Sequence, residues 1–231
     1  MIKKNLSNIQ KRPSIILAII FFSVNSCNNY DLREKLENPG GRSEIFADRL
    51  YAFVTSASTK GDMAGLTASG CAGQGSQRAD CYCQQTAVAA NLRKSSSSRF
   101  VAWLSDGNDD MSCRIVAMTS TGCSPNGTPV WHTTVNQPIF SGYGSPNGIF
   151  FAVLLAPISY TEAKNLRPPT FVHTGTLATG AASVGDSCNN WVTNNGSTGL
   201  SGRADSSSDT WSQDQSDACE TELPIYCFAV P

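Results

Sequence analysis

Cys81 and Cys83 stand one residue apart, close enough for two thiolates to reach one soft cation such as zinc. A structural zinc site needs a second Cys or His pair at short spacing. None follows: the chain has no Cys-x-x-Cys, and His132 and His173 each stand alone. No metal is therefore expected. Asp106, Asp109 and Asp110 cluster, but they lack the alternating Asp/Asn ladder and glycine of a calcium loop and read as a solvated turn. The sequence contains no Gly-x-Ser-x-Gly elbow, no His-Glu-x-x-His and no P-loop. Neither histidine has a neighbour suited to acid–base work, so each reads as a surface or satisfied structural residue. The expectation is a non-enzymatic protein without a cofactor.

The chemistry that nine cysteines do support is covalent linkage, provided the chain meets an oxidising compartment. The N-terminus argues for export. Lys3, Lys4, Lys11 and Arg12 precede the apolar run Ile15 to Phe22, which is too short to span a bilayer, and residues 1–26 read as a signal peptide. Val24-Asn25-Ser26-Cys27 reads as a bacterial lipobox, with Asn25 a departure from its tightest form. Cys27 is then the acylated N-terminus, a palmitate-type membrane anchor, and eight cysteines remain to pair. Eight cysteines allow on the order of a hundred pairings, and spacing alone does not choose among them. Formal net charge is −1, and without residues 1–26 thirteen basic residues face eighteen acidic ones. A nucleic-acid binder would carry a basic face, so no nucleic-acid partner is expected.

Three divisions follow: signal peptide 1–26, lipidated cysteine and polar tether 27–44, and one domain at 45–231. Within the domain, Leu50 to Thr55 reads as the first strand. Ala79 to Leu92 lacks Pro and Gly and predicts a helix, with Asp80 near its start favouring the free N–H groups and Cys83, Ala87, Val88 and Ala90 sharing a face. Beyond a serine-rich turn, Phe100 to Leu104 predicts a buried strand. Cys113 to Met118 reads as a strand, Thr121 to Gly127 as a turn, and Ile149 to Ala156 as a core strand. Thr170 to Thr176 reads as another strand, 192–210 as a long loop, and Pro224 to Val230 as the last strand. Short strands, one clear helix and long loops predict an α+β fold.

The helix and strand patterns carry a resemblance. Ala79-Asp80-x-x-Cys83-Gln84-Gln85, Ala89-Ala90-Asn91-Leu92 and Arg99-Phe100-x-Ala102-Trp103-Leu104-Ser105 resemble endostatin, the C-terminal domain of collagen XVIII. They are more similar still to the leptospiral endostatin-like lipoproteins. Gly185-Asp186-Ser187-Cys188-Asn189-Asn190-Trp191, Gly202-Arg203-Ala204-Asp205, Trp211, Cys219 and Pro224-Ile225-Tyr226-Cys227-Phe228 agree. The resemblance spans roughly Tyr51 to Val230. It implies a C-type-lectin-like fold with a mixed, mostly antiparallel sheet. It also implies disulfides Cys83–Cys227 and Cys188–Cys219, which leave Cys71–Cys81 and Cys113–Cys123 as the economical local pairs.

The same resemblance implies an outer-membrane, surface-exposed adhesin that binds host laminin and fibronectin, with complement factor H or plasminogen as further partners. It does not transfer every activity. The Glu-Pro-Asn and Trp-Asn-Asp patterns of calcium-dependent lectins are missing, as are the arginine-rich face and histidine cluster of endostatin. Trp103, Trp191 and Trp211 are expected in the core. Trp131, among Gly/Pro loops, is expected to be exposed and is the candidate ligand contact. Residues 106–147 and 194–209 are the candidate binding loops. The alternatives are a carbohydrate-binding module and a structural envelope lipoprotein without a host ligand.

Overall fold

The computed structural model describes residues 49–66, 70–92, 99–116, 120–123, 130–140 and 153–230. The expected signal peptide, Cys27, the tether, the serine-rich turn and residues 124–127, 141–147 and 149–152 of the readings above lie outside the described residues. Among those described, no helix is long and apolar enough to cross a membrane.

Among the described residues the fold is α+β, with one main helix, two sheets and four disulfides. The larger sheet has the order β2–β7–β1–β3, formed by Arg99–Ala102, Tyr226–Val230, Leu50–Val54 and Trp131–His132. β7 runs antiparallel to both neighbours, and β3 is parallel to β1, so the sheet is mixed. β7 is apolar at every position because both of its faces are covered. Tyr226, Phe228 and Val230 enter one core with Ala52, Val54, Val101 and Trp103. Cys227 and Ala229 enter a second core with Phe53, Phe100, Ala102 and the helix residues Ala79, Cys83 and Ala87. The period of two along each strand creates these two cores.

The helix α1 spans Gly75–Ala89. It ends before Leu92 because Asn91 takes the left-handed conformation (φ 55°), which Asn tolerates. The Asn91 N–H then bonds the Val88 carbonyl, and the Leu92 N–H bonds that of Ala87, a Schellman cap with Leu92 buried. The buried stripe is Ala79, Cys83 and Ala87, whereas Val88 lies 47% exposed, off the expected face.

The second sheet, β4–β5–β6, is antiparallel and comprises Phe171–His173, Thr198–Arg203 and Gln215–Ala218. β5 and the 3-10 turn Asp209–Trp211 occupy the stretch expected to be a loop. The small residues of β5 have a tertiary purpose. A Cβ at Gly202 would come within 2.0 Å of the Trp211 carbonyl oxygen, and one at Gly199 within 2.8 Å of Cys188 Sγ. Bulky β-formers are excluded there by what packs on the strand.

Two further expectations are corrected. Cys113 to Val116, the described part of the expected strand 113–118, is not a strand: Met111–Arg114 is a single helical turn, α2, followed by a turn through Val116, and residues 117 and 118 lie outside the described residues. The helical turn carries the Arg114 side chain inward to its partners. Residues 153–156, the described end of the apolar run, are not a core strand. Val153 and Leu155 are 72% and 59% exposed, and only Leu154 turns inward.

Candidate functional site

The disulfides set the frame on which the loops stand. They are Cys71–Cys81, Cys83–Cys227, Cys113–Cys123 and Cys188–Cys219, the same pairs set out above. Cys83 is on the inner face of α1 and Cys227 is in the central strand, so this bond staples helix to sheet across 144 residues. Cys113–Cys123 and Cys71–Cys81 each close a loop of 10 residues. Cys81 and Cys83 thus enter different disulfides, and neither thiolate is left to bind a metal. Among the described residues no group of three His, Cys, Asp or Glu side chains is arranged to hold a metal ion.

Cys188–Cys219 secures an unusual turn. Cys188, Asn189, Asn190 and Trp191 all take positive φ, at 47°, 52°, 59° and 62°. Left-handed backbone is tolerated by Asn but costs roughly 1–2 kcal/mol per residue for other side chains. The surroundings over-determine it: Ser187 Oγ accepts from the Asn190 N–H, and the buried Trp191 indole donates to the Ser105 carbonyl at 2.8 Å. Asn190 Oδ1 also accepts from the Gly107 N–H at 2.8 Å, and Asn194 Nδ2 donates to Asp62 at 2.8 Å. The turn therefore gathers the loops around Asp62, Gly107 and Asn194 into one cluster.

The carboxylates read as a solvated turn are corrected by burial. Asp106 and Asp110 are each only 6% exposed. Asp106 Oδ1 accepts from the N–H groups of Asn108 and Asp109, and Oδ2 accepts from Ser76 Oγ. Asp110 joins two distant loops by accepting from the N–H groups of Gly122 and Ala182, both at 2.7 Å. Burial, with Asp106 nearby, raises the Asp109 carboxyl above its ordinary range. Asp80 was expected to serve the first turn of α1. It faces β2 instead, where Oδ1 accepts from the Ala102 N–H and from Arg114 at 2.5 Å, and Oδ2 lies 3.7 Å from Arg99. Arg114 also donates to the Leu104 carbonyl. Nothing in the sequence pairs Asp80 with Arg114, 34 residues away, and both were missed as a structural unit.

Trp131 is not exposed. It is 1% accessible, its indole donates to the Ala229 carbonyl at 2.7 Å, and its ring meets Phe140 and Phe228 edge-on. Position on the edge strand β3, facing inward, removes it as a ligand contact. Trp103, Trp191 and Trp211 are buried as expected.

His173 is fully buried at the seam between the sheets. Its N–H bonds the Pro224 carbonyl, Nε2 lies 3.1 Å from the Thr59 carbonyl, and Nδ1 has no well-formed partner. Burial lowers its pKa to about 4, against the opposing pull of the Thr59 and Thr221 backbone and of Asp217. The fold thus favours neutral His173, whereas the unfolded chain binds a proton near pH 6.5. Stability from this residue is complete above pH 6.5 and is lost as pH falls towards 4, with a limit of about 3 kcal/mol. Urea midpoints measured between pH 6.5 and 5, above most carboxylate titration, should fall in the wild type. The slope should shrink in His173→Gln, and an equal slope in the variant would refute the assignment. His132, half-exposed and also lowered by burial, contributes to both proteins and cancels in the comparison.

One groove of about 370 Å³ opens between Ser56, Thr161, Asn165 and Arg167–Thr170. Its charged groups are already engaged: Arg167 donates to the carbonyls of Thr55 and Ser56 and to Ser58 Oγ, and Glu162 accepts from the Ser56 N–H and hydroxyl. Leu166 stands 66% exposed at the rim. The groove is separate in sequence from both candidate loops. Of those loops, Asp106 and Asp110 are drawn inward while Gly107 and Asn108 stay exposed, Asn195 and Gly196 are exposed, and 198–203 is strand.

Among the described residues, fold and site together define an α+β domain with one main helix, mixed sheets and four disulfides. No protein-family model matches the chain, and no curated protein matches it significantly.

Proposed function

We propose that the chain is an exported lipoprotein, anchored in the bacterial outer membrane through acylated Cys27, whose domain is C-type-lectin-like and binds host matrix or plasma proteins without catalysis. The observation that carries this reading is the pair of disulfides Cys83–Cys227 and Cys188–Cys219, which coincide with the pattern implied by the endostatin-like resemblance. Adjacent first and last strands support the same reading, because β1 pairs with β7. Loops on a cross-linked scaffold suit recognition, since little order is lost on binding. The carbohydrate-binding alternative calls for exposed aromatic platforms; all four tryptophans are buried, so it is not favoured.

The refolded chain Asn28–Pro231 should bind at least one of laminin, fibronectin, factor H and plasminogen saturably when oxidised, and lose that binding on reduction. Surface plasmon resonance at low and physiological salt reads this directly. No binding by a correctly disulfide-bonded chain would overturn the adhesin assignment.

A further inference from the structure

We propose that the outer edge of β6 is a docking site for a basic, extended peptide segment of a partner protein, which adds to the small sheet as another antiparallel or parallel strand. The inference rests on the reading of the chain as a protein-binding module and names the chemistry of the partner. The edge is open. β6 is the terminal strand of its sheet and lies along β5. Gln215, Ser216 and Ala218 are exposed, and the neighbouring Gln213 and Asp214 are exposed as well.

Strand register identifies the free groups. In an antiparallel ladder, residues alternately direct their N–H and C=O towards the partner and away from it. Leu200 of β5 directs its own groups away from β6: its N–H bonds the Asp186 carbonyl, and its carbonyl accepts from Thr174 and Gly175. Its cross-strand partner is Ser216, so the Ser216 N–H and C=O turn outward. Ala218, opposite Thr198, has the same orientation. Its carbonyl accepts from the Thr221 N–H, while its own N–H faces out. Unpaired edge groups of this kind are what an added strand binds in β-augmentation.

Charge selects the occupant. From Ala204 to the C-terminus the chain carries Asp205, Asp209, Asp214, Asp217, Glu220 and Glu222 and no Lys or Arg. Asp205 is neutralised by Arg203 at 2.9 Å, whereas no ion pair engages Asp214, Glu220 or Glu222 among the described residues. These carboxylates flank the edge at both ends. A second copy of this chain is disfavoured there, because β6 against β6 would set Asp214, Asp217 and Glu220 of the two chains side by side. A lysine- or arginine-bearing strand gains main-chain bonds and complementary charge together.

The test uses the mature chain with its disulfides intact and a short alternating lysine–threonine peptide as probe. Wild type should bind it saturably, with affinity falling at least about tenfold between low salt and a salt concentration that screens exposed charges. Ser216→Pro removes one outward N–H without touching the β5 ladder, a substitution that edge strands accept, and should weaken binding at least about tenfold. Amide exchange at Ser216 and Ala218 in the unaltered protein should slow when the peptide binds, which decides the matter even if the proline variant folds poorly. Undiminished binding by a folded Ser216→Pro, equal binding of a glutamate–threonine peptide, no slowing at these amides, or no binding would each overturn the proposal. Matrix-protein binding is measured alongside. If Ser216→Pro binds a matrix protein as wild type does, the edge assignment fails and the adhesin reading stands. Peptide binding without any matrix-protein binding has the opposite meaning.

Discussion

Replacing Cys83 and Cys227 together by alanine should lower stability by about 5 kcal/mol, against about 3 kcal/mol for the Cys71/Cys81 pair. The difference follows from the unfolded chain. A cross-link spanning 144 residues removes far more loop freedom from it than one spanning 10. The entropy grows only logarithmically with loop length, so the long bridge exceeds the short one by about 2 kcal/mol rather than fourteenfold. Packing adds in the same direction, because both Cys83 and Cys227 are fully buried between α1 and the central strand. Urea unfolding of the oxidised variants measures both numbers. Equal losses for the two pairs would show that the bridge from helix to strand has no special weight.

Asp80→Leu should cost about 3–5 kcal/mol, close to the loss of the long disulfide. The reason is what the substitution leaves behind. The Arg114 side chain is 6% exposed and its guanidinium lies between the Asp80 carboxylate and the Leu104 carbonyl. Without Asp80 a buried cation keeps one neutral acceptor and loses its ion-pair partner, with Asp109 left as the more distant negative charge. The Ala102 N–H at the edge of β2 also loses its acceptor. Arg114→Met in the same chain should restore part of the loss, since removing both partners avoids the stranded charge. A double-mutant cycle in urea reads the coupling. Additive losses would mean that Asp80 and Arg114 act independently, contrary to the geometry.

These two predictions fall on different sides of what the sequence displays. Cys83 and Cys227 announce themselves through residue type, an export-like N-terminus and family-like pattern, and the central strand announces itself as an unbroken apolar run. Asp80 was legible only as a residue near a helix start, because helix-dipole reasoning is local. Its actual partners come from β2 and α2, brought together by the sheet. Trp131 was misplaced for a related cause. Its Gly/Pro-rich neighbourhood describes the loop around it, but the side chain points into the core from a two-residue strand. β5 was read as a loop because Gly199, Ser201 and Gly202 have poor strand propensity; the strand exists because Trp191, Trp211 and Cys188 need small residues beneath them. The open edge of β6, with Ser216 turned outward, follows from that same hidden strand.

The sequence by itself determined the α+β class, the main helix, the first, second and last strands, and a cysteine content that calls for disulfides. Those features rest on local periodicity and residue chemistry, which one stretch of chain carries unaided. Only the tertiary structure decided which carboxylates are buried, which tryptophans are covered, where the left-handed turn stands and which strand edge stays open. Each of those depends on partners far apart in the chain, and burial is a property of the assembled fold rather than of any residue in it.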